Sequence, residues 1–284
     1  MAFFSVFVVL VAYLFGEALG YGSSWIWLGV GFSLISNLVS YYWGDKIVLT
    51  MSRARPADRQ HDFDFFTVAE NLSIASGLPV PKLYVIDDTA MNAFATGRDP
   101  QHAVVCATSG ILKRLDRSEL EGVIAHELSH VKNYDIRLML MVSVLVGTVA
   151  FLADMFLRTL WWGGGRRNRD SDREGNIQGI LMIVGIILAI LTPIIATLIQ
   201  LAISRRREYL ADASGAYLTR NPEGLARALQ ELTNDREVLE AATNATAHLY
   251  IVNPFHGKDF KAWFSNLFNT HPPIEERIKR LRAM

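Results

Sequence analysis

His126, Glu127 and His130 form the pattern H-E-x-x-H within the run AHELSHVKNYD. On a helix, residues four apart lie on nearly the same face with Cβ atoms about 6 Å apart, so both histidines can offer a ring nitrogen to one metal ion. Glu127 lies beside the first histidine and can act as a general base toward water without binding the metal. The pattern therefore predicts metal-assisted hydrolysis, with zinc as the metal.

A catalytic zinc ion needs a third protein ligand and one open coordination position. The single cysteine, Cys106 in AVVCAT, is expected to be a small buried strand residue, so the third ligand should be a histidine or a carboxylate. In SRRREYLADASGA, Glu208 and Asp212 are again four residues apart. We predict that Glu208 binds the metal and that Asp212 accepts the free N–H of a ligand histidine. Glu223 and His271 are the alternatives to Glu208.

The composition separates this chain from several classes of protein. The 284 residues carry 28 basic and 28 acidic side chains, so there is no positive surplus of the kind that nucleic-acid binding requires. One cysteine excludes an internal disulfide and a cysteine-based zinc site within the chain. Apolar residues make up 51% of the sequence and are concentrated in long runs, which favours a membrane protein.

Four apolar runs are candidate membrane spans. Residues 2–19 and 25–43 are joined by the short linker GYGSS and predict a transmembrane hairpin, with aromatic residues at the ends of the second run as is typical of membrane interfaces. Residues 136–162 and 177–203 are the third and fourth runs. We therefore divide the chain into a hairpin at 1–43, a soluble part at 44–135, a second hairpin at 136–203 and a soluble part at 204–284.

The basic residues predict which side of the membrane the soluble parts face. Basic residues between 46 and 59 and at 205–207 place both soluble parts in the cytoplasm. The loop 163–176 carries four arginines, which a full crossing of the second hairpin would move outward against the usual bias. Either this loop is an exception or the hairpin does not fully cross; the length of the fourth run favours a full crossing.

The soluble parts read as an α+β domain that is mostly helical. An amphipathic helix within 57–76 should end at Gly77, and short strands are expected within 81–87, 92–97 and 102–110. The helix that carries H-E-x-x-H is predicted to begin at Ser118 as N-cap, with Glu121 completing a capping box. Because the metal motifs enter and leave the same apolar hairpin, that hairpin should bring His126 and Glu208 together.

Four motifs together, AHELSHVKNYD, SRRREYLADASGA, MNAFATG and NTHPPIEERIKRL, resemble the HtpX family of membrane zinc metalloproteases, relatives of the type I CAAX prenyl endopeptidases. The resemblance covers essentially the whole chain. It implies a zincin-like protease domain with a small β-sheet, integrated with about four transmembrane helices. It also implies one Zn²⁺ per chain, a bacterial inner-membrane location with a cytoplasmic active site, and a stress-response role in degrading misfolded or misassembled membrane proteins. The oligomeric state stays open.

The resemblance also assigns roles to individual residues. It implies that His126, His130 and Glu208 hold the zinc ion and that Glu127 is catalytic. His271, in the NTHPPIEERIKRL motif, would stabilise the oxyanion of the transition state. The strand within NAFATG would hold the peptide in an extended form along its edge. The predicted substrate-binding residues there are Asn92, Ala93 and Phe94. The remaining histidines are expected to be structural or solvated: His61, His102, His248 and His256.

Two alternative functions are compatible with the sequence. One is a membrane processing protease of narrow specificity, such as one for prenylated peptides, although four spans are few for an enclosed chamber. The other is a membrane scaffold that holds a structural zinc ion. A structural zinc site does not require an acid at position 127 and more often has a fourth protein ligand. The endopeptidase is therefore the favoured interpretation.

Overall fold

The computed structural model describes residues 24–144, 146, 205–243, 245–254 and 272–284, together with residues 5, 6, 8, 9, 12 and 13. It divides into two compact units, one made of Met1–Tyr42 with Leu145–Thr197 and the other of Trp43–Val144 with Leu198–Met284. Most of the first and third predicted spans, all of the fourth, the loop 163–176 and His271 lie outside the described residues. The domain boundaries inferred from the sequence stay a prediction.

The second unit contains a four-stranded sheet. Its strands are β1 (Arg55–Pro56), β2 (Lys82–Ile86), β3 (Ala93–Thr96) and β4 (Val104–Thr108), in the order β1-β2-β4-β3. β2 and β4 are parallel, whereas β3 runs antiparallel to β4. The three strands predicted from the sequence are confirmed, and β3 is an edge strand.

Seven helices lie wholly within the described ranges, and the described residues 5, 6, 8, 9, 12, 13, 135–144 and 146 are also helical. The seven are α1 (Trp25–Met51), α2 (Phe63–Ser76), α3 (Ser109–Arg114), α4 (Arg117–Lys132), α5 (Arg205–Thr219), α6 (Pro222–Asn234) and α7 (Ile274–Arg282). Short 3-10 turns lie at Pro100–His102 and Ala247–Leu249. Helical residues within these ranges clearly outnumber strand residues, as the sequence predicted. Among these helices, none combines the length and the apolarity that a membrane crossing requires.

Helix α2 ends where the sequence predicted. Gly77 adopts a left-handed φ of 72°, and the N–H groups at the cap reach back to the last turn. A side chain at this position would be strained whatever the surrounding space, because L-residues rarely adopt that φ. The helix begins at Phe63, so the residues from 57 to 62 are not part of it.

Helix α4 begins two residues earlier than the sequence suggested. Asp116 is the N-cap, and it forms a capping box with Glu119 instead of the predicted box of Ser118 and Glu121. Both pairs fit the capping pattern, because each places an acid three residues after a capping residue. The helix is buried along most of its length, packing against α2, α5, α6 and the edge strand β3. α4 is therefore the central helix of this unit.

The sheet separates two apolar clusters. Ala93 and Ala95 of β3 belong to the cluster shared with α2, α4 and α6. Phe94 points to the opposite face, where it is fully buried and its ring meets the Tyr250 ring edge-on at 5.1 Å. This alternation places the small side chains of β3 on the side of α4 and lets the strand approach that helix closely.

Candidate active site

His126 and His130 lie one turn apart on α4, and their rings meet edge to face with centroids 4.8 Å apart. The two Nε2 atoms are 3.2 Å from each other. Glu208 of α5 completes the group, with Oε1 3.4 Å from His130 Nε2 and Oε2 3.8 Å from His126 Nε2. All three side chains are buried. Among the described residues, this is the one group of three that could hold a metal ion.

Both histidines are oriented by a carboxylate on the far side of the ring. His126 Nδ1 lies 3.0 Å from Asp212 Oδ1, as the spacing of Glu208 and Asp212 suggested. His130 Nδ1 lies 3.0 Å from Asp135 Oδ2. When each Nδ1 donates a proton to its carboxylate, each Nε2 carries a free lone pair. Two lone pairs facing each other at 3.2 Å repel unless a proton or a metal ion lies between them, so the arrangement fits either a protonated His130 or a bound metal ion.

Asp135 is a residue that the sequence analysis did not select. α4 ends at Lys132, and Tyr134 then adopts a left-handed φ of 60°, so the chain leaves the helix axis before Asp135. Asp135 is buried and is also paired with Arg207 at the start of α5. Its position at the end of the AHELSHVKNYD run was the available signal, because a buried acid near a ligand histidine commonly fixes that ring.

Arg277 is the second residue that the sequence analysis missed. It is fully buried in α7, donates to both oxygens of Asp212 at 2.8 and 2.7 Å, and has Nη1 3.5 Å from Glu208 Oε2. Read in sequence, IEERIKRL is an amphipathic surface helix, and nothing in it distinguishes Arg277 from the other basic residues.

The electrostatics of this group favour a positive charge among the carboxylates. Burial lowers the pKa of His126, which stays neutral. Burial alone would also lower the pKa of His130, but hydrogen bonds to Asp135 and Glu208 raise it to about 10. The carboxylates that stabilise a proton on His130 would equally stabilise a divalent cation, which would replace that proton.

Glu127 faces the edge strand. It is buried, and the backbone N–H of Ala95 is near enough to its carboxylate to oppose a rise in its pKa. Burial raises its pKa to about 7, and the nearby Glu208 carboxylate adds to the increase. A carboxylate with a pKa near neutrality can both accept and return a proton at physiological pH.

The three predicted substrate-binding residues occupy the edge strand and the residue before it, but their groups are already engaged. Asn92 is buried, its Nδ2 donates to the Val252 carbonyl at 2.9 Å, and Ala93 O accepts from the Ile251 N–H at 3.0 Å. Phe94 is packed in the core away from α4. Their role toward substrate stays a prediction, as does the role of His271.

The histidines that the sequence set aside lie away from the metal group. His61 and His102 are exposed and pair with Asp58 and Asp99 respectively. His248 is buried, with Nε2 3.2 Å from both Ser143 Oγ and the Met139 carbonyl. His256 lies outside the described residues. Cys106 is buried in β4, as expected.

The sequence profile of Peptidase family M48 matches residues 61–284. The chain belongs to peptidase family M48. The protease HtpX homolog of Caldanaerobacter subterraneus subsp. tengcongensis is 45% identical over 282 residues, which is 99% of this chain and 92% of that protein. The protease HtpX homolog of Dictyoglomus thermophilum is 49% identical over 248 residues, covering 87% of this chain and 78% of that protein. These relatives confirm the resemblance to the HtpX family.

This M48 peptidase also shares a fold with a solved structure, the crystal structure of S. mikatae Ste24p. The TM-score is 0.53 at 20% sequence identity, and the match covers 95% of this chain and 62% of the Ste24p chain. At that identity the similarity is one of fold. Family membership confirms the predicted metalloprotease activity, and the His126, His130 and Glu208 group is where the structure could hold the metal.

Proposed function

We propose that this M48 peptidase is a zinc-dependent endopeptidase with His126, His130 and Glu208 as its metal ligands. The separations of the facing ligand atoms carry the proposal: 3.2 Å between the two Nε2 atoms, 3.4 Å from His130 Nε2 to Glu208 Oε1 and 3.8 Å from His126 Nε2 to Glu208 Oε2. A tetrahedral zinc ion with bonds of about 2.0–2.1 Å places its ligand atoms about 3.3–3.4 Å apart. Three buried ligand residues at about these separations leave a fourth direction for the reaction, which a structural site would close with another protein ligand.

The remaining residues divide the chemistry between them. Zinc, when bound, acts as a Lewis acid that polarises a peptide carbonyl and lowers the pKa of water. Glu127 would take the proton from the attacking water and pass it to the leaving amine. Asp212 and Asp135 would keep the two histidines in the tautomer that presents Nε2. His271 would donate to the developing oxyanion, and its replacement by Ala should then lower the rate about 10²–10³-fold.

The substrates we propose are misfolded or damaged membrane proteins, with quality control under stress as the physiological role. This part of the proposal comes from the resemblance to the HtpX family. The position of the edge strand β3 against α4 supports it, since pairing of a peptide backbone with such a strand tolerates many side chains. A processing protease of narrow specificity is the alternative. It would be favoured if casein resisted cleavage while one defined peptide was cut.

The decisive experiment removes only the proton acceptor. Glu127→Gln keeps the shape of the side chain but cannot take a proton at neutral pH. In the full-length, zinc-loaded protein in detergent, casein cleavage should fall about 10²–10⁴-fold with an unchanged metal content. Glu121→Gln is the matched control, because Glu121 lies on the same helix and pairs with the exposed Arg117. A Glu127→Gln protein that holds full metal and cleaves casein at the parent rate would reject this assignment.

We propose further that the chain is embedded in the bacterial inner membrane with its active site in the cytoplasm. Apolar side chains exposed along α1 support membrane contact, among them Trp27, Leu28, Leu34, Ile35 and Leu38. The test replaces Cys106 with Ser and introduces single cysteines at Ser171, Ser118 and Ala283. A membrane-impermeant thiol reagent should label intact cells only at position 171. Labelling of intact cells at position 118 or 283 would contradict the proposed orientation.

A further inference from the structure

The outer edge of β3 is covered by a segment of the same chain, Tyr250–Val252. Ile251 N–H donates to the Ala93 carbonyl at 3.0 Å. Val252 is held by the Asn92 side chain, whose Nδ2 donates to its carbonyl at 2.9 Å and whose Oδ1 accepts from its N–H at 3.4 Å. The Tyr250 ring packs edge-on against Phe94. Successive residues of the segment thus meet β3 in reverse order, as an antiparallel strand does.

The segment is connected to the metal group through Arg277. The Ile251 carbonyl accepts from Arg277 Nη1 at 3.2 Å, and the same nitrogen lies 3.5 Å from Glu208 Oε2. Two residues further along β3, the backbone N–H of Ala95 lies near the Glu127 carboxylate. The covered part of β3 is therefore next to the residues proposed to bind the metal and to move the proton.

We propose that Tyr250–Val252 acts as an internal pseudosubstrate that occupies the peptide-binding edge of β3 at rest and leaves it when a peptide binds. The inference rests on the proposed function, because it assumes that substrate is held as an extended strand beside Glu127. An incoming peptide can pair with the Ala93 carbonyl only if Ile251 N–H has left it.

The way the segment is held makes this exchange physically reasonable. Its pairing to β3 includes one backbone-to-backbone hydrogen bond, and the Tyr250 hydroxyl lies 3.4 Å from Ser52 Oγ. The polar contacts of its backbone otherwise come from the side chains of Asn92 and Arg277. These side chains can offer the same donors and acceptors to the backbone of any extended peptide. All three residues of the segment are buried. A peptide with apolar side chains would therefore replace buried apolar surface with similar surface, and such peptides should be preferred.

Hydrogen exchange tests the displacement directly. The probe is reduced, unfolded casein at saturating concentration, added to the full-length zinc-loaded Glu127→Gln protein so that it binds without being cut. Deuterium uptake in fragments covering 247–254 should increase several-fold. Unchanged or decreased uptake with casein bound would show that the segment is a permanent strand and would overturn the proposal.

A substitution at Ile251 provides an independent test. Ile251→Pro removes the backbone N–H that donates to the Ala93 carbonyl. The preceding residue, Tyr250, already has φ −74° and ψ 144°, which is the conformation required before proline. In a protein that retains Glu127, Ile251→Pro should increase kcat/KM for casein cleavage about fivefold, which is the factor expected for one lost hydrogen bond. Ile251→Val keeps the N–H and should remain near the parent rate.

The possible failures can be told apart. A metal-loaded parent protein that cleaves neither casein nor unfolded membrane protein contradicts the proposed function, and the inference falls with it. A folded, metal-loaded Ile251→Pro protein with parent or lower activity contradicts the inference alone. If Ile251→Pro does not fold, the exchange experiment on the unaltered segment decides.

Discussion

Arg277 and Asp212 form a fully buried ion pair behind the two histidines. The guanidinium donates through Nε and Nη2 to the two carboxylate oxygens at 2.8 and 2.7 Å. Although burial alone would raise it, the charge of Arg277 lowers the pKa of Asp212 to about 2. Asp212 is therefore a carboxylate at neutral pH and a strong acceptor for the Nδ1 proton of His126. In this way α7, distant in sequence from the H-E-x-x-H motif, fixes the orientation of the first histidine.

Replacing Arg277 with Met should destabilise the fold because it leaves the Asp212 carboxylate buried without its cation. The loss of one partner of a buried pair costs about 3–5 kcal/mol. Arg280→Met is the control, since Arg280 pairs with Glu276 at the surface and such pairs contribute about 0–1 kcal/mol. Thermal unfolding of both variants, measured in chelator, compares them. Equal melting temperatures would contradict the structural role of Arg277.

The carboxylates that hold the histidines should tune metal affinity without binding the metal. Asp212→Asn and Asp135→Asn keep the shape of each side chain but weaken its acceptor, so each should lower zinc affinity about 10–100-fold. Competition with a chelating dye measures this effect. Asp87→Asn serves as the control because Asp87 is exposed and pairs with Arg55. Parent affinity in both site variants would show that the histidines need no such support.

The third ligand is tested by comparing two glutamates. Glu208→Ala should lose most of its zinc, because it removes one of three protein ligand atoms from the group. Glu223→Ala should keep one zinc ion per chain, since Glu223 is exposed and pairs with Arg282. Metal content after dialysis distinguishes the two. A Glu208→Ala protein with a full zinc content would transfer the ligand role to another residue, with His271 the next to examine.

The close approach of α4 and α6 depends on Gly122. A Cβ atom there would lie 2.6 Å from the backbone nitrogen of Leu225, a distance that real contacts do not reach. Gly122→Ala should therefore cost about 1–3 kcal/mol through overpacking, more than the gain of up to about 1 kcal/mol from better helix propensity.

Gly31→Ala is the matched control for that substitution. Gly31 lies within α1, and a Cβ built on it meets nothing within 4 Å. Thermal unfolding should show a lower melting temperature for Gly122→Ala and an equal or higher one for Gly31→Ala. A stabilised Gly122→Ala protein would mean that α6 can shift away from α4 at little cost.

Local sequence preferences were enough to predict the structure of much of the chain. The spacing of His126 and His130 requires only a helix, and the left-handed Gly77 and the short apolar runs of β2, β3 and β4 follow from preferences that act over a few residues. The start of α4 was wrong because two overlapping capping boxes satisfy the same local rule. The structure uses Asp116 with Glu119, whose side chain is buried, whereas Glu121 pairs with Arg117 at the surface.

Only the tertiary structure decided which distant residues complete the site. An arginine in an amphipathic helix has the same local sequence whether it faces water or a buried carboxylate, so the pairing of Arg277 with Asp212 could not be read from IEERIKRL. Backbone pairing leaves even less of a signature in the sequence, because every residue except proline can donate its backbone N–H. That Ile251 covers the Ala93 carbonyl is therefore a consequence of the folded path of the chain. The sequence determined the chemistry of the proposed metal ligands, and the packing of α5, α7 and the Tyr250–Val252 segment around α4 and β3 determined their surroundings.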